Sequence, residues 1–452
     1  MSAVIQPAGL TGSPLAIGAE SRAIAFDAQG AVPLARFLGQ VRALAALLPP
    51  GRHAVNLCED RYRFLVAFCA VAVRGQVTLL PPSRAPAAID EALAGHADSY
   101  CLGDLPLDPA PAHYWQLPEV LLEHAGNAPL LDDAALVAIG FTSGSTGVPK
   151  ANPKTWGSFR QSTAQNLAAL RHLWPGDAHA PVVATVPPQH MYGMELSVLL
   201  PMLAEVAVHT ARPFFPQDIA QALQAAPAPA LLVTTPVHLR ALVESDVALP
   251  PLAGIVSATA PLPAELAAAA EARLGCEVRE MFGSTETCVI AHRRTAVEDA
   301  WTPMPGVQLQ PQPDGTLVHA RHLAAPMPLA DLVEVEADGR FRLCGRQADL
   351  LEIAGKRASL GDLTRKLTAI PGVRDGVVLQ LDPCEAGVRR IAALVVAPGL
   401  DEAAILAALR CSIDPVFLPR RLRRVDALPR NETGKLPRAA LLRLLQCDNA
   451  AS

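Results

Sequence analysis

At 452 residues the chain is longer than one ordinary hydrophobic core supports, so two or three domains are expected. Hydrophobic residues make up 51% of it, which excludes disorder over most of its length. A formal net charge of −5 leaves no basic excess of the kind that nucleic acid or an anionic membrane surface would attract.

The first residues, "MSAVIQPAGLTGSP", lack a basic flank and carry Pro and Gly, so they do not read as a secretory signal. Nine Cys are scattered, odd in number and without a CxxC, and read as reduced, mostly buried thiols in a cytoplasm, Cys288 and Cys344 included. The best membrane candidate, 191–209, contains Glu195, Pro201 and Glu205, which argues against a span.

Pro, with 42 copies, falls mostly between apolar runs and punctuates loops. The run "ALVAIG" leads into "FTSGSTGVPK" at 141–150, a polar loop ending on a cation. Gly144 and Gly147 let its backbone approach a ligand closely, and its hydroxyls and N–H groups suit phosphate oxygens. Lys150 adds a point charge, but Val148-Pro149 break the Walker spacing. The loop is thus a phosphate nest of another kind or a Gly/Ser surface turn.

Residues 181–187 and 230–236 read as buried strands, with a helix over 237–245. A strand and turn follow over 254–261, then a helix over 263–275 closing on Gly275, then a strand over 276–283. This alternation implies parallel strands with crossovers, an α/β architecture whose ligands sit at the carboxyl ends of the strands. After about residue 306 the texture changes. Residues 331–346 read as an antiparallel hairpin turning at Asp338-Gly339. Beyond Arg346 a compact α+β module begins: a short hairpin, a helix from about Asp362, two strands and a further helix. The expected organisation is a large N-terminal domain over 1–345, parallel sheets with crossover helices plus a smaller β region, a hinge at 346–349, and a small mobile α+β domain over 350–452.

"FTSGSTGVPK" resembles the signature loop of the acyl-adenylate-forming superfamily, which includes acyl-CoA synthetases, peptide-synthetase adenylation domains and beetle luciferases. The order of the other stretches resembles that family too: "PQHMYG" (188–193), "SATAPLP" (257–263), "MFGSTET" (281–287), "DLVEVEADGRFRLCGR" (331–346), "GKRASLGDL" (355–363) and "RNETGKLPR" (430–438). The first 130 residues carry no recognisable motif.

The resemblance implies ATP-dependent formation of an acyl-adenylate, with roles carried over residue by residue. Thr142, Ser143, Gly144, Ser145, Thr146, Gly147 and Lys150 would hold the β- and γ-phosphates. Glu286 would ligate Mg²⁺, and Thr285 would donate to the α-phosphate. Phe282, followed by Gly283, would face adenine, and Asp331 and Arg346 would bind the ribose. Lys435 would bridge the carboxylate and α-phosphate after rotation of the small domain, and Gly355 would line a thiol channel. His190 either gates the acyl pocket or is a satisfied core histidine. The pocket walls would be Met191, Tyr192, Gly193, Ser257, Ala258, Thr259 and Ala260. Three positions depart from the family's pattern: Ala348 and Glu352 near the hinge, and the tail "ANPKTWGSF" after Lys150. That tail resembles the short ligases of bacterial aryl-polyene and xanthomonadin-type pathways.

Peptide-synthetase domains place an Asp after the pocket aromatic. Here Met191 follows His190, so an amino acid's ammonium would be buried unpaired. A non-amino acid is expected, favoured as an aryl acid such as a hydroxybenzoate, with a medium-chain fatty acid as the rival. The expected acceptor is a phosphopantetheine thiol, favoured on an acyl carrier protein over free CoA. A non-catalytic scaffold of the same fold is opposed by the presence of Glu286, Asp331 and Lys435, and a Walker-type ATPase by the loop spacing.

Overall fold

The computed structural model describes residues 12–142, 150–174, 180–346, 350–353, 356–381, 390–431 and 434–446. They form two compact units. The first runs to Asp299 and takes in Pro303–Val307 and Ala320–Ala324; the second comprises Ala300–Thr302, Gln308–His319 and the chain from Ala325 on.

In the first unit, one sheet runs in the order Lys150–Thr155, Leu136–Thr142, Val77–Leu80, His53–Asn56, Ser99–Gly103, Tyr114–Gln116. Every neighbouring pair is parallel except the edge strand Lys150–Thr155, which returns antiparallel to Leu136–Thr142. A second sheet places Cys288–Arg293, Val278–Ser284, Leu252–Ser257, Ala230–Thr234, Val182–Ala184, Val208–His209 and Ala23–Asp27 side by side, with Gly30–Pro33 beyond. Its strands from Val278–Ser284 to Ala23–Asp27 are parallel. The apolar runs at 181–187, 230–236 and 254–257 are these central strands, covered on both faces as parallel strands must be.

The intervening helices form where the sequence signals them. Thr235 caps Pro236–Glu244 by accepting from the His238 N–H, and Ala264–Leu274 ends on Gly275 at φ +65°. Ile219 and Leu223 from the helix Pro216–Gln224, with Leu239, Leu242, Leu266 and Ala270 from these two, pack onto Val183, Leu232 and Ile255.

The second unit contains the hairpin Asp331–Val335 and Phe341–Arg346, closed at Asp338-Gly339 as expected, with Gly339 at φ +85°. The hairpin Leu350–Ile353 and Lys356–Ser359 follows. A three-stranded sheet then pairs Ile391–Val396 antiparallel to Asp375–Gln380 and parallel to Arg421–Arg424. Alternation along these strands sends Val378, Ile391, Ala393 and Val395 to one face, under helices Leu360–Thr368 and Glu402–Ser412. Leu379, Ala392 and Leu394 go to the other, under Arg438–Gln446. Among the described residues no helix is long and apolar enough to cross a membrane.

Candidate active site

The polar loop is carried by two paired strands. The register of Leu136–Thr142 with Lys150–Thr155 sets Lys150 opposite Thr142, so both ends of the loop are fixed within one ladder step. Thr142 is half-buried and Lys150 exposed. Ser143, Gly144, Ser145, Thr146 and Gly147 lie outside the described residues.

Beside this strand end is a pocket lined by Leu80, Pro81, Pro82, Gly140, Phe141, Gln189, His190, Met191 and Thr285. His190 precedes the short helix Met191–Met194, and Met191, Tyr192 and Gly193 are buried. A side chain at Gly193 would collide with the Pro187 carbonyl, which explains the residue type. Tyr192 ties this segment to the next: its hydroxyl donates to the Val256 carbonyl at 2.9 Å, and burial raises its pKa well above the ordinary phenol value. The adjoining strand ends in Ser257, which is fully buried, followed by buried Ala258 and half-buried Thr259 and Ala260. The Ser257 Oγ and Thr259 Oγ1 have no hydrogen-bond partner among the described residues, and Thr259 sits at φ +80°.

The strand Val278–Ser284 delivers half-buried Phe282, then Gly283, where a side chain would strike the Cys288 carbonyl. The turn after it is pinned from several sides. Ser284 N–H donates to Thr287 Oγ1 and Thr287 N–H to Ser284 Oγ, both at 3.2 Å. Lys154 Nζ donates to the Glu286 carbonyl at 2.7 Å. His322 Nε2 donates to the Thr287 carbonyl at 2.7 Å, and burial lowers its pKa, which favours the neutral ring. Thr285 and Glu286 stay half-buried at the tip.

Behind the turn lies Glu195, fully buried, accepting from Asn166 Nδ2 and from the Val289 N–H at 3.0 Å each. Burial raises its pKa to about 7, against the opposing pull of those two donors and of Lys154. Cys288, also buried, is pushed up to about 12 by desolvation and is an inert thiol.

In the second unit Asp331 stands directly across the hairpin ladder from Arg346, so the fifteen-residue step in the sequence becomes one register position. Lys435 is exposed at the end of a turn in which Asn431 Oδ1 accepts its N–H at 2.8 Å and the Asn431 N–H donates to its carbonyl at 2.9 Å. Gly355 lies outside the described residues, as do hinge residues 347–349. Thr142, His190, Met191 and Thr285 therefore gather at strand ends of the first unit, and Asp331 and Arg346 pair in the second.

Sequence reasoning passed over Gln189, Lys154, Glu195 and His322. A signal existed for two of them. Glu195 is a lone acid in the apolar run 191–204, and Lys154 shares the inward face of its strand with buried Asn152.

The model of the AMP-binding enzyme family matches residues 48–318. The chain belongs to the AMP-binding enzymes. Its similarity to the 4-coumarate–CoA ligase of Rhodobacter capsulatus is 33% identity over 300 residues, covering 65% of this chain and 73% of that one. The anthranilate–CoA ligase of Pseudomonas aeruginosa is 26% identical, with 90% of each chain covered. Among solved structures, the ATP-bound RpMatB-BxBclM chimera B3 has the same fold, with a TM-score of 0.81 at 19% identity, over 95% of this chain and 96% of that one. This AMP-binding enzyme is an acid–thiol ligase of the AMP-forming class, acting on a carboxylic acid through its acyl-adenylate.

Proposed function

We propose that the enzyme activates an aryl carboxylic acid as acyl-AMP and passes the acyl group to a phosphopantetheine thiol. One observation carries the reading: His190, Met191 and Thr285 line a single pocket with Gly140 and Phe141, which lead into the polar loop. The space they enclose is about 20 Å³, little more than a water, so the side chains there would move apart to seat an aryl acid next to the phosphates on the loop. Names of relatives support an aryl acid, since two of them act on 4-coumarate and anthranilate. Met191 after His190 leaves no carboxylate there for an amino acid's ammonium.

In the first half-reaction a carboxylate oxygen attacks the α-phosphorus, the bond to the β-bridging oxygen breaks, and pyrophosphate leaves. In the second the thiol sulfur attacks the acyl carbonyl carbon and AMP leaves. Because negative charge concentrates on the transferring phosphoryl group, positioned donors supply most of the catalysis. Thr142, the loop and Lys150 would hold the β- and γ-phosphates, Thr285 the α-phosphate, Phe282 the adenine, and Asp331 with Arg346 the ribose, while the 257–260 segment would wall the acid pocket. Lys435 would offset charge between carboxylate and α-phosphate. The small module would bring it in by turning about 346–349 and would place Gly355 beside the thiol in the second pose.

Among the described residues no group of three or more His, Cys, Asp or Glu could hold a metal. Mg²⁺ bound to a nucleotide takes most ligands from phosphate oxygens and water, so the single carboxylate of Glu286 fits as its protein ligand. Bound there, the ion would neutralise charge on the phosphates.

The relatives' names support free CoA as the acceptor. A carrier protein is the second reading, favoured by the exposed Arg420, Arg421 and Arg424 of the small module, which suit an acidic partner. The described cysteines are free thiols, which supports a reducing compartment such as the cytoplasm.

The test is exchange of labelled pyrophosphate into ATP across aryl and medium-chain fatty acids. Exchange that requires an aryl acid supports the proposal. Exchange only with fatty acids moves the substrate class, ATP binding without exchange points to a non-catalytic protein, and acid-independent ADP release refutes adenylation. Repeating the active case with CoA and with a holo carrier protein separates the acceptors.

A further inference from the structure

We propose that Lys154 is a positioning residue of the adenylation site: it locks the exit strand of the polar loop to the Thr285–Glu286 turn. This rests on the reading of both segments as nucleotide-binding.

Lys154 is 4% exposed, on the inward face of Lys150–Thr155, four residues after Lys150. Its ammonium donates to the Glu286 carbonyl, 132 residues away in the chain. The two segments that would meet the two ends of the triphosphate are therefore joined by one side chain. Backbone pairing does not join them, because the loop strand belongs to one sheet and the turn follows a strand of the other. The contact is to the main chain, so it fixes where the Glu286 backbone sits and leaves its carboxylate free to face a ligand.

The surroundings favour a positioning role over simple filling of space. Glu195, on the helical segment behind the turn and held by Asn166 Nδ2 and the Val289 N–H, has its pKa raised by burial, and the Lys154 ammonium opposes that rise. Among the described residues, Cys288 on the adjoining strand and His322, which grips the next carbonyl, also face it. An apolar side chain of similar length would occupy the same space without desolvating an ammonium. A buried lysine aimed at one particular carbonyl fixes geometry at that carbonyl.

The variants are Lys154→Met and Lys154→Gln, which remove the ammonium and keep much of the stem. The expected result is that KM for MgATP in acid-dependent exchange, and Kd for MgATP by titration calorimetry, both rise at least about tenfold. The melting temperature of ligand-free Lys154→Met is expected to fall, because the Glu286 carbonyl loses its donor and Glu195 its nearby cation, so Kd is measured below the melting transition on folded protein. A merely structural lysine would lower the active fraction, and so kcat, with KM and Kd unmoved; that result overturns the assignment. So does failure of both variants to fold. Wild-type enzyme run with the same acid reports separately on the adenylation reading, which fails if that enzyme shows no exchange.

Discussion

Arg430 grips Asp375 with two teeth, Nη2 to Oδ1 at 2.8 Å and Nε to Oδ2 at 3.1 Å, and with Nη1 holds the Gly434 carbonyl at 2.8 Å. Asp375 begins the first strand of the small sheet, and Gly434 immediately precedes Lys435. The lysine expected to act on the reacting phosphate is thus mounted on the sheet through one guanidinium. Lysine cannot reproduce that fork, because an ammonium is a single point of contact. Arg430→Lys is expected to keep the fold and lower the adenylation rate about tenfold, and Arg430→Ala to lower it further, since a hydrogen bond to a charged group contributes about 1.5–3 kcal/mol. Wild-type rates for Arg430→Lys would remove any role for the fork in placing Lys435.

Lys435 itself separates the two half-reactions. Exposed and mounted on a turn, it has reach and no obligatory partner role in the core. Lys435→Ala is expected to slow acyl-AMP formation a hundredfold or more, on the order of 3 kcal/mol for one lost transition-state contact. Thioester formation from chemically synthesised acyl-AMP should be nearly unchanged, because no phosphate is attacked in that step. Stopped-flow with each starting point makes the comparison. Equal slowing of both halves would contradict the assigned role.

The sheet alternation at 181–283, the hairpin turn at Asp338-Gly339 and the pairing of Asp331 with Arg346 were all legible, because local periodicity and turn chemistry determine them. The six-stranded sheet formed largely before residue 142 was not foreseen. Three of its strands, His53–Asn56, Val77–Leu80 and Ser99–Gly103, are short runs of four or five residues, and the first two are separated by an almost wholly apolar helix, Arg61–Val73, so no period stands out. The frame behind the site was hidden for a different reason. Lys154, Glu195 and His322 lie far apart in the chain and carry no motif. Only the fold brings their polar atoms to one turn.

Glu195 makes stability depend on pH. Its folded pKa of about 7 stands above the ordinary value of 4.5, so between those limits the folded chain holds a proton that the unfolded chain has lost. Stability is therefore greatest below about pH 4.5 as far as this group is concerned, declines as pH rises toward 7, and levels off above it. The full span is on the order of 3 kcal/mol. Glu195→Gln is expected to flatten this limb, so melting temperatures of wild type and variant should diverge more at pH 8 than at pH 5.5, with the wild type relatively weaker at pH 8. Parallel curves across that range would mean that Glu195 titrates outside it.

Ser257 offers a test of what the acid pocket reads. Its hydroxyl is fully buried at the end of a central strand and has no partner among the described residues. Leaving such a group unpaired costs about 1–3 kcal/mol in the ligand-free protein, and a substrate that supplies a partner recovers it. Ser257→Ala removes the unpaired group while filling nearly the same space. The ligand-free variant is therefore expected to melt at a slightly higher temperature than the wild type. Against ring-hydroxylated aryl acids its KM should rise about five- to tenfold, while KM for the corresponding unsubstituted acid stays level or falls. Steady-state exchange kinetics on matched pairs of acids gives both numbers. An equal change for hydroxylated and plain acids would show that this hydroxyl is not a discriminating contact, and would shift the search for one to Thr259, whose Oγ1 is likewise unpartnered among the described residues.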